Sequence, residues 1–288
     1  MKTIKYFFQF VIIIFLFSIF RVLGLSFSIT ISKFIFSFFG PFFRSKQIYE
    51  KNLKKAFPNI TGSEILKISK NMWSNYGCIF AEYMFLKDFR RSLKLSEKIS
   101  VENQNELKKI NDNKKPVIFI SGHFNNFELM AMHIEKSGID LAAVYRPLNN
   151  HFLNPVMEKI RKKYICKKQI SKGIVGTKEL LKNFKNGSSI AMMIDQRVSQ
   201  GIRSNFFGEE ALTTTIPAQF VKKYNVNVVP VYIERVKDNN FKIKILENIK
   251  FDQNENIESI TLQLNKILEK MILQNPDQWI WTHNRWKK

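Results

Sequence analysis

Five short apolar runs, at 116–121, 141–145, 188–194, 226–234 and 241–248, alternate with amphipathic stretches near 127–137, 153–164, 177–186, 215–224 and 257–274. Runs of four to eight residues rich in Val, Ile and Phe suit buried strands, and the intervening stretches carry helical periodicity. Such alternation predicts an α/β domain with a central mixed sheet flanked by helices. Ahead of it, residues 62–86 read as a helix with Ile65, Ile68, Met72 and Trp73 on one face. No repeat and no long low-complexity linker divides the chain after residue 44, which places a single catalytic-size domain at 44–288 and sets residues 1–43 apart.

Those first residues form the second constraint. Residues 6–20, YFFQFVIIIFLFSIF, hold no charge; after Arg21 the stretch 22–43 carries only Lys33, and no acidic residue precedes Glu50. As a helix the first run spans about 22 Å, short of a bilayer core of roughly 30 Å, whereas continuation past Arg21 would suffice. Spanning and shallow insertion therefore both fit. A cleaved signal peptide fits less well, because Arg21 and renewed hydrophobicity follow the run without a small-x-small cleavage site. Residues 1–43 are thus read as an uncleaved N-terminal membrane-anchor helix. The basic cluster Arg44, Lys46, Lys51, Lys54 and Lys55 outweighs the charges before the run, which puts the body of the protein on the cytoplasmic side. Each such lysine near anionic lipid adds about 1 kcal/mol of attraction; the plainer reading is a solvated helix face.

The whole chain of 288 residues carries 46 basic against 24 acidic residues, a net charge of +22. That balance calls for an anionic partner, whether nucleic acid, an acidic membrane surface or a phosphorylated substrate. No zinc-finger spacing, RNP-like sequence or other nucleic-acid module is present, and the apolar N-terminus favours the membrane. Cys78 and Cys166 are too few and too far apart for a disulfide framework or a thiolate metal site. Walker A, Rossmann-glycine and G-x-S-x-G patterns are absent, so neither metal nor nucleotide cofactor is expected.

The stretch 116–128, PVIFISGHFNNFE, carries the chemistry. Ser121-Gly122 closes the apolar run, Asn126 is a plausible N-cap for a helix ending near Gly138, and His123 falls in the loop between with Glu128 in the first helical turn. On one continuous helix five residues would rotate the side chains about 500° apart, but across a loop-to-helix corner an imidazole can fold back onto a carboxylate. A neutral imidazole removes a proton from an attacking hydroxyl, and a carboxylate on its other nitrogen fixes the tautomer. The bare spacing is weakly specific: with 4 His and 24 acidic residues in 288, chance supplies roughly one third of such a pair per chain. The competing reading is a loop histidine bonded to a helix cap.

Around this pair the chain resembles a family. Gly122-His123-Phe124-Asn125-Asn126-Phe127-Glu128 is similar to the HxxxxE signature of the late lipid A biosynthesis acyltransferases, the lauroyl and myristoyl transferases of the lysophospholipid acyltransferase superfamily. Further similar segments follow in family order: Val144 to Asn150 (VYRPLNN), Arg161 on the next helix, Met193-Ile194-Asp195-Gln196, Asn205-Phe206-Phe207-Gly208, Thr213-Thr214-Thr215, and Trp281-Thr282-His283-Asn284-Arg285. Val228-Val229-Pro230-Val231 matches the expected later strand, so the resemblance spans essentially the whole chain. Two departures, Asn125 where Gly is usual and Phe127 where Trp is usual, bear on the acyl pocket.

The resemblance implies transfer of a fatty acyl group from an acyl carrier protein thioester to a hydroxyl of a phosphorylated glycolipid, with no cofactor, at the bacterial inner membrane. It implies His123 as general base, Glu128 as its orienter, and Arg146, Arg161 and Asp195 in substrate binding. Taken alone, Arg146 and Arg161 read as surface cations, Asp195 as a loop cap, and His283 and Arg285 as packing and solvation. A guanidinium suits phosphate because it donates two parallel charge-assisted hydrogen bonds. The rival functions are a glycerophospholipid or other glycolipid acyltransferase, where HxxxxD is more usual, and a basic membrane-tethered binding protein without activity.

Overall fold

A computed structural model describes residues 2–287. Two apolar helices lead, α1 (Lys2–Leu23) and α2 (Leu25–Phe43), followed by α3 (Lys46–Ala56), α4 (Gly62–Glu82) and the short α5 (Leu86–Arg91) and α6 (Leu93–Ser96). The sheet region then runs β1 (Ile99–Glu102), α7 (Gln104–Asn113), β2 (Ile118–Ser121), α8 (Glu128–Lys136), β3 (Leu141–Tyr145), α9 (Leu153–Tyr164), β4 (Lys168–Ser171), α10 (Ile174–Lys185) and β5 (Ser189–Met193). It closes with the hairpin β6 (Ile202–Phe206) and β7 (Glu209–Thr213), then α11 (Ile216–Tyr224), β8 (Val228–Arg235), β9 (Phe241–Ile245) and α12 (Ile257–Gln274).

Among the described residues seven strands form one mixed sheet in the order β1-β9-β8-β2-β5-β3-β4, and β6 and β7 form a separate two-stranded sheet. Every ladder in the large sheet is parallel except β8 against β9. Strands β2, β5, β3 and β4 therefore all end at the same edge, where open parallel sheets place their ligands. All four residues of β2 are buried, as a strand covered on both faces requires.

The α/β architecture agrees with the sequence expectation, and the boundaries of β3, α9 and α12 coincide with it. Three features differ. Strands β1 (ISVE) and β4 (KQIS) and the β6–β7 hairpin are short and mostly polar, so they carry no apolar run to announce them. Asn126 is not the N-cap of α8: Phe127 holds that position, and the Asn126 amide turns inward to donate to the buried Glu82. The helix begins one residue later because burying that amide against a carboxylate satisfies both groups.

The N-terminus is a pair of helices, broken at Gly24 in the left-handed region (φ 79°), a conformation glycine adopts without strain. At 22 and 19 residues they measure about 33 and 28 Å. The second helix packs along α4, and the contact is backbone-close: a Cβ on Gly77 would stand 2.3 Å from the Ser32 carbonyl oxygen, and one on Gly40 would stand 2.3 Å from the Trp73 ring. The first is fastened to the body at both ends. The Asn150 amide donates to the Tyr6 carbonyl (2.8 Å), Phe7 and Phe10 lie against Phe152, Phe17 and Phe20 pack on Phe80, and Arg21 pairs with Asp88. The outer faces stay bare, with Ile4, Phe8, Ile12 and Phe15 on α1 and Phe27, Phe34, Phe38 and Phe42 on α2 all more than half exposed. Apolar surface of that extent is what a membrane covers.

Candidate active site

Ser121 and Met193 are register partners in β2 and β5, so His123 and Asp195, each two residues further on, leave the sheet side by side. The Ile194 amide still donates to the Ser121 carbonyl (2.9 Å), which carries the register into the loops. Asp195 is fully buried and takes three hydrogen bonds: from the His123 backbone N–H (2.7 Å), from His123 Nδ1 (2.7 Å) and from the Trp279 indole (2.9 Å). Burial alone would raise the Asp195 pKa, but His123 and these donors hold it below the ordinary carboxylate value. An ionised carboxylate only accepts, so Nδ1 carries the proton and Nε2 keeps its lone pair in the neutral ring. Burial likewise pushes His123 down, and the Asp195 carboxylate, with a further contribution from Glu128, more than offsets it, leaving the imidazole more basic than usual.

Nε2 has no partner among the described residues, and the His123 ring lines a cavity of about 820 Å³. Phe127 stands edge-on to that ring (4.9 Å between centroids) and lines the same cavity with Ala131, Ala143, Val144, Ala191 and Met193. That wall is apolar, whereas Arg146, Lys172, Arg197 and Lys287 make a cationic rim. Arg146 and Lys172 are adjacent for the same reason as His123 and Asp195: Tyr145 and Ser171 pair across β3 and β4, and each cation is the next residue. Burial lowers the Lys172 pKa, and the Arg146 charge lowers it further, as two cations without an intervening acid require.

The expected His123–Glu128 pair is corrected here. The carboxylate bonded to the imidazole is Asp195, and Glu128 accepts instead from Arg161 Nε (2.8 Å) and from the Tyr83 hydroxyl, which itself accepts from an Arg161 Nη atom (2.8 Å). Glu128 opens α8 while the loop before it turns His123 towards β5, so the buried Arg161 is the nearer charge for its carboxylate. The side chains of Arg161 and Glu128 are 11% and 8% exposed. Burial would lower the Arg161 pKa, but Glu128 and Tyr83 keep it raised, and burial together with Glu128 drives the Tyr83 phenol well above its ordinary value. Arg161 is thus engaged with protein groups, while Arg146 is exposed at the rim.

Two partners escaped the sequence reading. Tyr83 sits at the end of a helix outside every strand-end motif, and Trp279 precedes the C-terminal Trp281-to-Arg285 segment, to which no catalytic role was given. His283, also set aside as packing, lines the cavity, accepts from the Arg197 N–H (3.0 Å) and is pushed by burial to a pKa of about 4. Arg285 is fully buried and pairs with no carboxylate among the described residues; it donates to the Leu212 carbonyl and Thr213, and burial lowers its pKa to about 10.

The two departures noted in the sequence find separate explanations. Asn125 occupies the left-handed region (φ 44°), where Gly and Asn are the usual residues, and its side chain points behind the site to Arg235 and Gln278. Phe127, by contrast, faces the cavity.

An imidazole held by a buried carboxylate, an apolar wall beside it and a cationic rim suit deprotonation of a hydroxyl on an amphipathic, anionic molecule. Comparison with known proteins identifies the family. Residues 1–288 match the family model of bacterial lipid A biosynthesis acyltransferases. The chain is 25% identical over 254 residues to a lipid A biosynthesis palmitoleoyltransferase of Escherichia coli (strain K12), covering 85% of this chain and 79% of that one. It is 25% identical over 254 residues to a lipid A biosynthesis acyltransferase of Shigella flexneri, with the same coverage. Against a lipid A biosynthesis lauroyltransferase of Escherichia coli (strain K12) the identity is 24% over 259 residues, again with 85% and 79% covered. The full-length match shows that the chain belongs to the bacterial lipid A biosynthesis acyltransferase family.

Proposed function

We propose that this acyltransferase moves a fatty acyl group from an acyl carrier protein thioester to a hydroxyl of a phosphorylated lipid A precursor by direct attack. The observation that carries the reading is the Nδ1 bond of His123 to the buried Asp195 (2.7 Å), which leaves Nε2 as a base on the cavity wall. The hydroxyl gives its proton to Nε2 as its oxygen bonds to the thioester carbonyl carbon; the tetrahedral intermediate then expels the thiolate, which takes the proton from the imidazolium. No acyl-enzyme forms. Asp195 holds the tautomer and stabilises the imidazolium. Glu128 stays in the machinery as a nearby negative charge that raises the basicity of His123 and is itself held by Arg161 and Tyr83. Arg146 and Lys172 grip the acceptor's phosphate, and the wall from Phe127 to Met193 takes the acyl chain.

Helices α1 and α2 anchor the enzyme, with the body on the cytoplasmic side as the basic cluster from Arg44 to Lys55 directs. The whole enzyme, purified in detergent, is tested with acyl carrier protein and coenzyme A thioesters against phosphorylated and dephosphorylated acceptors. Transfer from the carrier-protein thioester, lost in His123→Ala, supports the reading. Equal use of coenzyme A, or trapping of an acylated protein, refutes the donor or the direct attack.

A further inference from the structure

Ile174 and Val175 open α10 with 82% and 78% of their surface exposed, an adjacent pair of β-branched residues with nothing packed over them. The local backbone is built to present them. Gly173 precedes them in a left-handed conformation (φ 137°). Gly176 follows them so close to the preceding strand that a Cβ there would lie 1.6 Å from the Ser171 carbonyl oxygen. The buried side of α10 is made by Gly176, Leu180 and Phe184, so Ile174 and Val175 contribute nothing to the core. In water such a pair carries a standing cost, since each apolar side chain is left hydrated.

The surroundings identify what covers them. Lys172 stands before the pair with only Gly173 between, and Arg146 emerges beside Lys172 from the neighbouring strand, so two cations flank the apolar tip. The loop that Arg146 begins continues to His151 and Phe152, which carry the start of α1 through Tyr6, Phe7 and Phe10. The tip, the cationic pair and the membrane-facing helix α1 therefore share one rim, at the edge of the sheet where β3 and β4 end and the cavity opens. We propose that Ile174 and Val175 insert into the same anionic lipid leaflet as α1, with Lys172 and Arg146 at headgroup level, so that the cavity mouth sits on the bilayer surface. This inference rests on the anchoring role given to α1 and α2. It goes beyond that role by adding a second contact outside α1 and α2. The cationic pair matches an anionic leaflet, and the exposed apolar tip has the same character as the faces left bare on α1.

A lipid acceptor then reaches His123 without leaving the membrane. Its phosphate meets Arg146 and Lys172 at the depth where headgroups lie, while its hydroxyl rises into the cavity.

The test uses the full chain. Val175→Cys is labelled with the polarity-sensitive dye NBD and bound to vesicles of phosphatidylethanolamine and phosphatidylglycerol, with a fraction of the lipids brominated on their acyl chains. Cys78 and Cys166 are each 1% exposed, so wild-type protein treated identically sets the background. Lys115→Cys, exposed ahead of β2 at the opposite edge of the sheet, is the aqueous reference. The expected result is blue-shifted emission at 175 with bromolipid quenching at least about threefold that at 115. If the protein sediments with the vesicles while both positions stay in water, the tip does not insert and the inference fails with the anchor intact. If the protein does not sediment at all, the anchor reading fails and takes this one with it. A dye at 175 that ignores lipid and responds to added acyl carrier protein makes the tip a protein-docking surface and also overturns the proposal. As a functional check, Ile174→Ser/Val175→Ser should raise the apparent KM for vesicle-borne acceptor several-fold and leave turnover of detergent-dispersed acceptor unchanged; an equal change in both assays counts against insertion.

Discussion

Asp195 holds His123 through two atoms at once, the backbone N–H and Nδ1, both at 2.7 Å. That double grip fixes the loop as well as the ring. It depends on a strand pairing, because Ser121 and Met193 must stay in register for the two residues to meet. Asp195→Asn keeps the shape but lets the amide donate, which favours the wrong imidazole tautomer. The expected loss in kcat is about 10²-fold or more. His123→Ala with Asp195→Asn should be little worse than His123→Ala alone, since the carboxylate acts through the ring. Additive losses in steady-state transfer assays would separate Asp195 from His123.

The pH profile supplies an independent check. The base is the neutral imidazole, and its pKa in the folded protein lies above the ordinary 6.5. Activity of the wild type should therefore rise with pH through a midpoint above 6.5. In Asp195→Asn the main raising influence is gone and burial is opposed only by Glu128, so the midpoint should move to lower pH even as the maximum falls. A midpoint that stays put, measured as kcat/KM against pH, assigns the limb to another group.

Glu128 and Arg161 bear on stability as much as on rate. Removing the Glu128 charge leaves a buried guanidinium without its carboxylate, and breaking one side of a buried pair costs about 3–5 kcal/mol. Glu128→Gln should lower the melting temperature by roughly 10 °C, against a few degrees for His123→Ala. Tyr83→Phe should fall between them. Thermal unfolding in detergent compares the three, and an unshifted Glu128→Gln would show the cluster to be looser than its geometry.

Phosphate recognition is expected at the rim. Arg146→Ala and Lys172→Ala should each raise the apparent KM for a phosphorylated acceptor about 10-fold and shrink its advantage over the dephosphorylated counterpart. Arg161→Ala should mainly lower kcat and stability. If Arg161→Ala instead abolishes the phosphate preference and the rim variants keep it, the assignment is reversed.

Gly77→Val should loosen α2 from α4. The added carbon meets the Ser32 carbonyl at 2.3 Å, which no side-chain rotation relieves. Overpacking of this kind costs about 1–3 kcal/mol. The expected signs are a lower melting temperature and faster proteolysis near residue 44 than in Gly62→Ala, whose added carbon meets nothing within 4 Å.

Where local pattern decides structure, the sequence was legible. The runs at 141–145, 153–164 and 257–274 became β3, α9 and α12 without shift. His123 was legible for the same reason, as a polar residue at the end of an apolar strand. The identity of its carboxylate was not, because the five-residue spacing to Glu128 is a local cue and the true partner arrives from a neighbouring strand. Tyr83, Lys172 and Trp279 were equally hidden: each reaches the site through strand order, helix packing or a loop, none of which leaves a periodic mark. Polar β1 and β4 went unseen because their pairing rests on backbone bonds at the two margins of the sheet.

The bonds at the site join residues far apart in the chain. His123 and Asp195 are 72 positions apart, Asp195 and Trp279 are 84, and the Asn52 amide that supports the C-terminal segment reaches the Trp281 carbonyl across 229. Closing separations of that size is slow compared with forming helices. During refolding, helical signal should return first and acyl transfer last, so turnover is a reporter of the finished tertiary structure. A separately expressed fragment that stops short of any of these partners should form helices and remain without activity.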